Sequence, residues 1–400
     1  MIESQTIAHP ISTARRAGLP QALVVILINM LPMMAIIALV PVVPAIMEYF
    51  KDVPNINTLA PLVLAAPGLC VALLSPFAGY LADKLGRRNL LLFITFLYGI
   101  GGVMPFFIHS FSLLFASRLL LGIGEAFILT IGNTLWGDYF EPKERAKWIV
   151  IQSVTGTFLA TLLLSFSGYL ASFGWQYPFL IYSISFITLI ATYLFIFEPH
   201  IKNKDVKFEV LSPTRWPVSI ILTLCITTLI TSIIYFAYTL HFSLVLDAIG
   251  IKNQVKIGNY SAIASIGAPV GALMYKLVAK RSIHYHLALM GFFYAVGLTG
   301  IGFAQNEIFV VIAAFITQLG IGLTIPVLVP WSLQLLPAEF RGRGMGFWTT
   351  AFFLGQFISP LVVSGVRSLS GSLLNAFMVL GILCLVMAIL NLFFSTKRKL

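Results

Sequence analysis

Long apolar stretches alternate with short polar breaks along the whole chain. They run at about 21–47, 58–82, 89–107, 111–136, 147–171 and 177–197, then, after a wider polar gap, at about 217–246, 257–279, 287–304, 308–333, 344–366 and 373–395. A bilayer core about 30 Å thick is crossed by ~20 apolar residues in helical form, so each stretch is long enough to span, allowing for tilt. Prolines inside several of them, Pro32 and Pro41 among them, predict local kinks whose freed backbone groups neighbouring helices satisfy. The expected fold class is an all-α membrane protein with twelve transmembrane helices. Its first span is predicted to stay in place. The segment from Met1 to Pro20 carries His9, Arg15 and Arg16 ahead of the apolar stretch but shows no small-residue cleavage site, which argues against a removable signal peptide.

Composition agrees with lipid as the solvent. Hydrophobic residues make up 59% of the 400 positions and charged residues 10%, against roughly 25% charged in a soluble domain. The net charge of +11 raises nucleic acid as a partner, and the placement of the charges answers against it. With an even number of spans both termini share a side. If that side is cytoplasmic, only Lys51, Lys252, Lys256 and Arg367 lie outside and Arg118 lies within a span, which leaves 20 of the 25 basic residues on the cytoplasmic side. That asymmetry is the positive-inside rule. The three cysteines, Cys70, Cys225 and Cys384, sit far apart in apolar segments. They offer neither a metal-binding spacing nor a disulfide framework and read as packing residues.

The polar gap from Glu198 to Trp216 lies almost at the midpoint. It divides the chain into an N-terminal six-helix bundle (1–197), a cytoplasmic linker (198–216) and a C-terminal six-helix bundle (217–400). The halves look related. Gly79-Tyr80-Leu81 at the end of span two has a counterpart in Gly271-Ala272-Leu273 at the end of span eight, and Trp136, Pro142 and Glu144 recur as Trp331, Pro337 and Glu339 after span ten. Repeated halves place a substrate site at their interface near mid-membrane.

The loop after span two reads Gly79-Tyr80-Leu81-Ala82-Asp83-Lys84-Leu85-Gly86-Arg87-Arg88. It resembles the signature loop of the major facilitator superfamily. Arg118-Leu119-Leu120-Leu121-Gly122-Ile123-Gly124 in span four and the loop from Asp138 to Arg145 are similar to other family segments. The resemblance implies two six-helix bundles around a central cavity, working by alternating access as a secondary transporter. It also gives Gly79, Asp83, Gly86, Arg87, Arg88, Asp138, Glu144 and Arg145 a gating role. Gly79 and Gly86 are expected to permit close helix approach. Arg87 is expected to hold Asp83, and Asp83 to complement the N-terminal end of span eleven at Gly342-Arg343-Gly344. Together they would latch the cytoplasmic face, and opening would break the latch. The other reading is that these residues only fix topology. Tyr275 replaces the aspartate in the second half, so gating is expected to be asymmetric.

Thirteen of the 14 acidic residues lie in the tail, loops or helix ends; Glu125 alone lies near the middle of a span. A charge there costs ~2.5–3.5 kcal/mol on insertion scales and usually faces the bundle interior. Gly122-Ile123-Gly124-Glu125-Ala126 resembles the spinster-type branch of the superfamily. Arg118 stands two helical turns earlier, about 10.5 Å away on roughly the same face, too far for direct contact but close enough to share a water-filled cavity. Desolvation favours a protonated carboxyl and a nearby cation favours the charged one, so a change of access or of Arg118 would load and unload a proton. Glu125 is therefore the expected proton carrier, with Arg118 tuning it or binding an anionic group. The alternative is a structural pair that fixes helix packing.

Tyr235, Tyr238 and His241 follow at three-residue spacing in span seven, with His241 either in a wet cavity or a packing residue. Asn29, Asn133, Gln152, Gln318 and Gln356 lie inside spans, where each either contacts substrate or cross-links helices. No Walker loop, HExxH zinc motif or nucleophilic triad stands out, so neither ATP drive, enzymatic activity, a metal nor a cofactor is expected. Span five lacks the Gly-Pro-centred motif of drug/proton antiporters, and span one lacks the acid of several exporters, spinster-type ones included; both departures argue against a narrow subfamily label. The expected partners are a small-molecule substrate, protons and membrane lipids, with the chain working as a monomer in a bacterial inner membrane. Proton-coupled export of an amphipathic or apolar compound is the first expectation, and symport or facilitated uptake of a small organic solute the second.

Overall fold

The computed structural model describes residues 17–199, 217–337 and 340–397. The tail with Arg15 and Arg16, most of the inter-half segment, and Glu339 of the internal repeat lie outside the described residues. Twelve helical spans follow one another: one (Leu19–Tyr49), two (Ile56–Leu85), three (Arg87–Phe107), four (Phe111–Tyr139), five (Pro142–Ala171), six (Tyr177–Phe195), seven (Val218–Ala248), eight (Gln254–Val278), nine (Ile283–Gly302), ten (Glu307–Leu335), eleven (Arg341–Ser370) and twelve (Leu373–Lys397). The expected boundaries hold to within a few residues.

The interruptions have local causes. Proline has no N–H to donate and crowds the preceding turn. Span one accordingly breaks into a 3-10 turn at Val40–Val42, around Pro41, before resuming as Val43–Tyr49. Span three ends in a 3-10 turn that contains Pro105, and span six begins in one that contains Pro178. Span eight is two helices, Gln254–Ser265 and Gly267–Val278. Side-chain caps start three of the C-terminal spans: Asn253, Ser282 and Asn306 accept from the backbone N–H groups of Lys256, Tyr285 and Phe309 at 3.0, 3.3 and 2.9 Å. Each cap satisfies an amide that the helix itself leaves without an acceptor.

Two seams join the halves. One runs between spans two and eleven, the other between spans five and eight. Most loops rich in Lys and Arg lie at one end of the bundle, here termed the basic face. A surface cleft of about 720 Å³, lined by Tyr49, Ala171, Asp247 and Gln254 among others, lies between the halves at the far face; below it both seams are tight to mid-membrane. The hydroxyls of Thr58 and Ser364 meet at 2.5 Å. Span five meets span eight through the Gln254–Ser265 segment, where a Cβ on Gly258 would lie 2.6 Å from the Leu164 carbonyl oxygen and one on Gly168 2.6 Å from that of Gln254. The Gly267–Val278 segment packs on span ten instead. Toward the basic face the first seam parts into a cavity of about 620 Å³, lined by residues that include Leu73, Pro76, Gly346 and Phe347. A Cβ on Gly342 or Gly346 would meet nothing within 4 Å. The molecule is thus closed beneath the far-face cleft and open at the basic face.

Candidate functional site

Span four carries the charged residues of the membrane interior. Small residues draw it against its neighbours: a Cβ on Gly122 would lie 2.6 Å from Cα of Pro67 in span two, and one on Gly101 of span three 2.8 Å from the Leu121 amide nitrogen. Such approach strengthens dispersion contacts between helices. It also seals what lies between them.

Arg118 is 0% exposed and Glu125 1%. The Arg118 guanidinium donates through Nη2 to the carbonyls of Gly101 at 2.5 Å and Gly102 at 3.2 Å. Its centre lies 5.0 Å from the ring centroid of Phe179 and 5.1 Å from that of Tyr182. Two carbonyls and two ring faces thus replace the water that a buried cation loses. The Tyr98 and Tyr182 hydroxyls, whose rings meet edge-on at 6.1 Å, donate to the carbonyls of Leu31 and Ala35 in span one at 2.6 and 2.9 Å. Glu125 feels the charge of Arg118 and has Cys70, Tyr98 and Tyr182 as electrostatic neighbours. Among the described residues Arg118 Nη1 and Glu125 Oε2 have no hydrogen-bond partner. A buried polar atom left so costs roughly 1–3 kcal/mol.

The two residues share this interior, as the seven-residue spacing implies, without a direct salt bridge. The expected water-filled cavity around them is absent in this conformation: both are enclosed by spans one, two, three and six. Arg118 is saturated on its Nη2 side by carbonyls and aromatic faces, so it is not an open anion site here.

At the basic face the signature loop forms a clamp within the N-terminal half. Arg87 pairs with Asp83 at 3.1 Å and, through Nη1, with Asp138. Gly86 has φ +87°, a backbone conformation that L side chains avoid. That turn starts span three, and the Glu198 carboxylate accepts from the backbone N–H groups of Arg87 and Arg88 at 2.8 Å each. An acid at a helix N-terminus is favoured by the exposed N–H groups and the helix dipole. Arg88 reaches in the other direction, donating to the carbonyls of Ile196 at 2.7 Å and Tyr193 at 2.8 Å, where span six ends. Glu144 stands in the first turn of span five, and Arg145 approaches Gly137.

The Asp83–Arg87 pair, which lies within one half, is intact in this conformation, while the ends of spans two and eleven stand apart. One expectation is corrected: Gly79 is not a point of forced approach, because a Cβ there would meet Thr130 only at an ordinary 3.8 Å.

The remaining polar candidates divide. Asn29 donates to its own helix at Val25 (2.9 Å) and packs on Gly132, and Trp136 Nε1 donates to Gln152 Oε1 at 2.9 Å. Asn133 is exposed near the basic-face end of span four. Tyr235 packs on Phe236 and Phe352, and Tyr238 stacks on Phe242 and reaches Gln318. The His241 ring nitrogen lies 3.0 Å from the Ala237 carbonyl one turn earlier, a packing histidine in this conformation. Gln356 is withdrawn from any cavity into the seam between the halves. It is 0% exposed against Gly68, with neither side-chain polar atom partnered among the described residues.

Sequence reasoning missed the aromatic pair around Arg118, the Glu198 clamp and the polar contacts of the seam. Only the last left a signal, in the prolines of span two.

The family model of the Major Facilitator Superfamily matches residues 25–360 and 257–399. The chain belongs to this superfamily, whose members are transporters and not enzymes. It is 24% identical over 332 residues to the quinolone resistance protein NorA of Staphylococcus aureus (strain MSSA476), covering 80% of this chain and 83% of that one. It is 22% identical over 387 residues to the putative metabolite transport protein YyaJ of Bacillus subtilis (strain 168), covering 86% and 85%. Among solved structures it is similar to a D-xylose-proton symporter (TM-score 0.75, 16% identity, 93% of this chain and 96% of that one). It is also similar to a bacterial homologue of the human lysosomal transporter Spinster in an inward-facing, unoccupied conformation (TM-score 0.69, 15% identity, 94% and 96%). The expected family and fold class are thereby borne out, the Spinster homologue sharing the fold.

Proposed function

We propose that this multi-pass membrane protein exports a small amphipathic or apolar organic compound in exchange for protons, the two halves rocking about a central site. The observation that carries the reading is Glu125: one carboxyl sealed at the waist of span four, with an oxygen that has no hydrogen-bond partner among the described residues. A carboxyl that gains and loses a proton as the halves rock converts a proton gradient into a cycle of conformations. In this reading the other conformation brings water to Glu125, and Arg118 sets its charge preference without touching it.

In this reading the basic face is the cytoplasmic one, as the positive-inside rule supports, and the conformation is inward-open. Neutral amides, hydroxyls and aromatic rings supply most of the polar candidates in the spans, which suits a substrate with little charge. The kinship with NorA, a quinolone resistance protein of a bacterium, supports export across a bacterial cell membrane. Uptake or symport of a small organic solute is the second reading, favoured by the equally extensive kinship with a putative metabolite transport protein. The chain acts as a monomer in either case.

The test is flux in proteoliposomes loaded with a panel of apolar, amphipathic and polar solutes. Saturable flux that an imposed pH gradient drives, and that reverses when the gradient is reversed, supports the antiport reading. Solute moving with the proton rather than against it selects symport. Large ohmic currents would exclude a carrier.

A further inference from the structure

Span two contains Pro76, and the consequence falls four residues earlier. A helical carbonyl accepts from the N–H four residues on. Proline has none, so the Ala72 carbonyl loses its intrahelical donor. Ala72 is 3% exposed, so although it stands beside the cavity its carbonyl has little access to water. The replacement comes from the other half of the protein: the Thr350 hydroxyl of span eleven donates to Ala72 O at 3.1 Å.

The position of this bond matters. Toward the far face the seam continues through Gln356 seated on Gly68 and the Thr58–Ser364 hydroxyl pair. Toward the basic face it parts at once: Ala72 and Thr350 themselves line the cavity that separates the ends of spans two and eleven, opposite Pro76 and Gly346. The hydrogen bond therefore sits where the joined and parted stretches of the seam meet. Any rocking of the halves that trades opening at one face for opening at the other turns about such a point. A backbone acceptor serves this purpose well, since its position does not depend on a rotamer, and Thr350 is β-branched with few χ1 options.

We propose that Thr350 is the positioning residue of the alternating-access cycle: its bond to the carbonyl released by Pro76 is the fulcrum that keeps spans two and eleven in register while the halves rock. The inference rests on the carrier reading above. It makes Pro76 and Thr350 a functional pair, although they lie 274 positions apart in the sequence.

The experiment is a double-mutant cycle read by conformational exchange. Labels at Lys84→Cys and Gly342→Cys, in a background with Cys70, Cys225 and Cys384 replaced, report the separation of the basic-face ends of spans two and eleven in the lipid-reconstituted full chain. Thermal stability is measured in parallel. Thr350→Val should slow exchange between the two separations about 3- to 10-fold, as loss of one neutral hydrogen bond implies, and Thr350→Ser should restore it. In Pro76→Ala the N–H of residue 76 returns to Ala72, so adding Thr350→Val should then change exchange by less than about twofold, the two substitutions being coupled. Equal effects of Thr350→Val in both backgrounds overturn the proposal, as does an effect on thermal stability alone. A parent protein that shows one separation under every condition removes the carrier reading itself, and is thereby distinguished from failure of the fulcrum.

Discussion

Replacing Gln356 with methionine should trap the protein in the conformation described here. The glutamine amide is 0% exposed, wedged against Gly68 with both its oxygen and its nitrogen unpartnered among the described residues. Each such atom costs roughly 1–3 kcal/mol relative to a hydrogen-bonded or hydrated state. When the far-face part of the seam opens, the amide meets water or substrate and that cost is relieved. Glutamine thus biases the carrier against staying closed at the far face. Methionine has nearly the same length and volume and no hydrogen-bonding demand, so the packing is kept. Taking one atom's worth as a floor, the far-face-closed state gains about 1–3 kcal/mol, and the ratio of the two states shifts about 5- to 150-fold toward it. The assay is the rate of maleimide labelling of a single cysteine placed at Thr58 or Ser364, normalised to a fully exposed site. Labelling should fall in Gln356→Met, turnover should fall with it, and the thermal midpoint should rise. Unchanged labelling together with unchanged turnover would refute the argument that the amide is strained in this state.

Other substitutions report on other parts of the account. Gly258→Ala puts a methyl 2.6 Å from the Leu164 carbonyl, backbone that does not yield, so labelling at the same far-face sites should rise and the protein should spend more time open there. Arg118→Met removes a charged donor to two buried carbonyls and should cost about 1.5–3 kcal/mol, seen as a lower thermal midpoint; Arg118→Lys should restore little, because one ammonium does not replace a planar fork lying against two rings. Gly86→Ala forces a side chain into φ +87° and should cost about 1–2 kcal/mol, with reduced protection of the span-three N-terminus in hydrogen exchange and little change in substrate specificity.

Much of this architecture was legible because lipid imposes one rule. Every spanning backbone must satisfy itself, so apolar runs of sufficient length are helices, and the spans are found where the runs are. Glu125 was legible for the same reason: a single acid amid apolar residues stands out in any reading of span four. Its surroundings were not. That Phe179 and Tyr182 would reach Arg118 depends on a 3-10 turn at the start of span six, whose helical phase no periodicity announces. Gln356 read as a candidate substrate contact because a mid-span glutamine looks the same whether it faces a cavity or a seam; the glycine that receives it is 288 positions away. The signature loop suggested a latch between halves; in this conformation Asp83, Arg87 and Asp138 pair within their own half. Asp83 and Arg87 are four residues apart across the turn at Gly86, and Asp138 arrives at the end of span four. Ala72 is the instructive case. Pro76 declares in the sequence that a carbonyl has been released, yet only the fold shows that Thr350 receives it.

Glu125→Gln in proteoliposomes tests the central claim most directly, since it keeps the shape of the side chain and removes its proton chemistry. The account predicts that uphill flux driven by a pH gradient disappears, while exchange of labelled for unlabelled solute across the same vesicles continues. Full gradient-driven accumulation by the variant would contradict it.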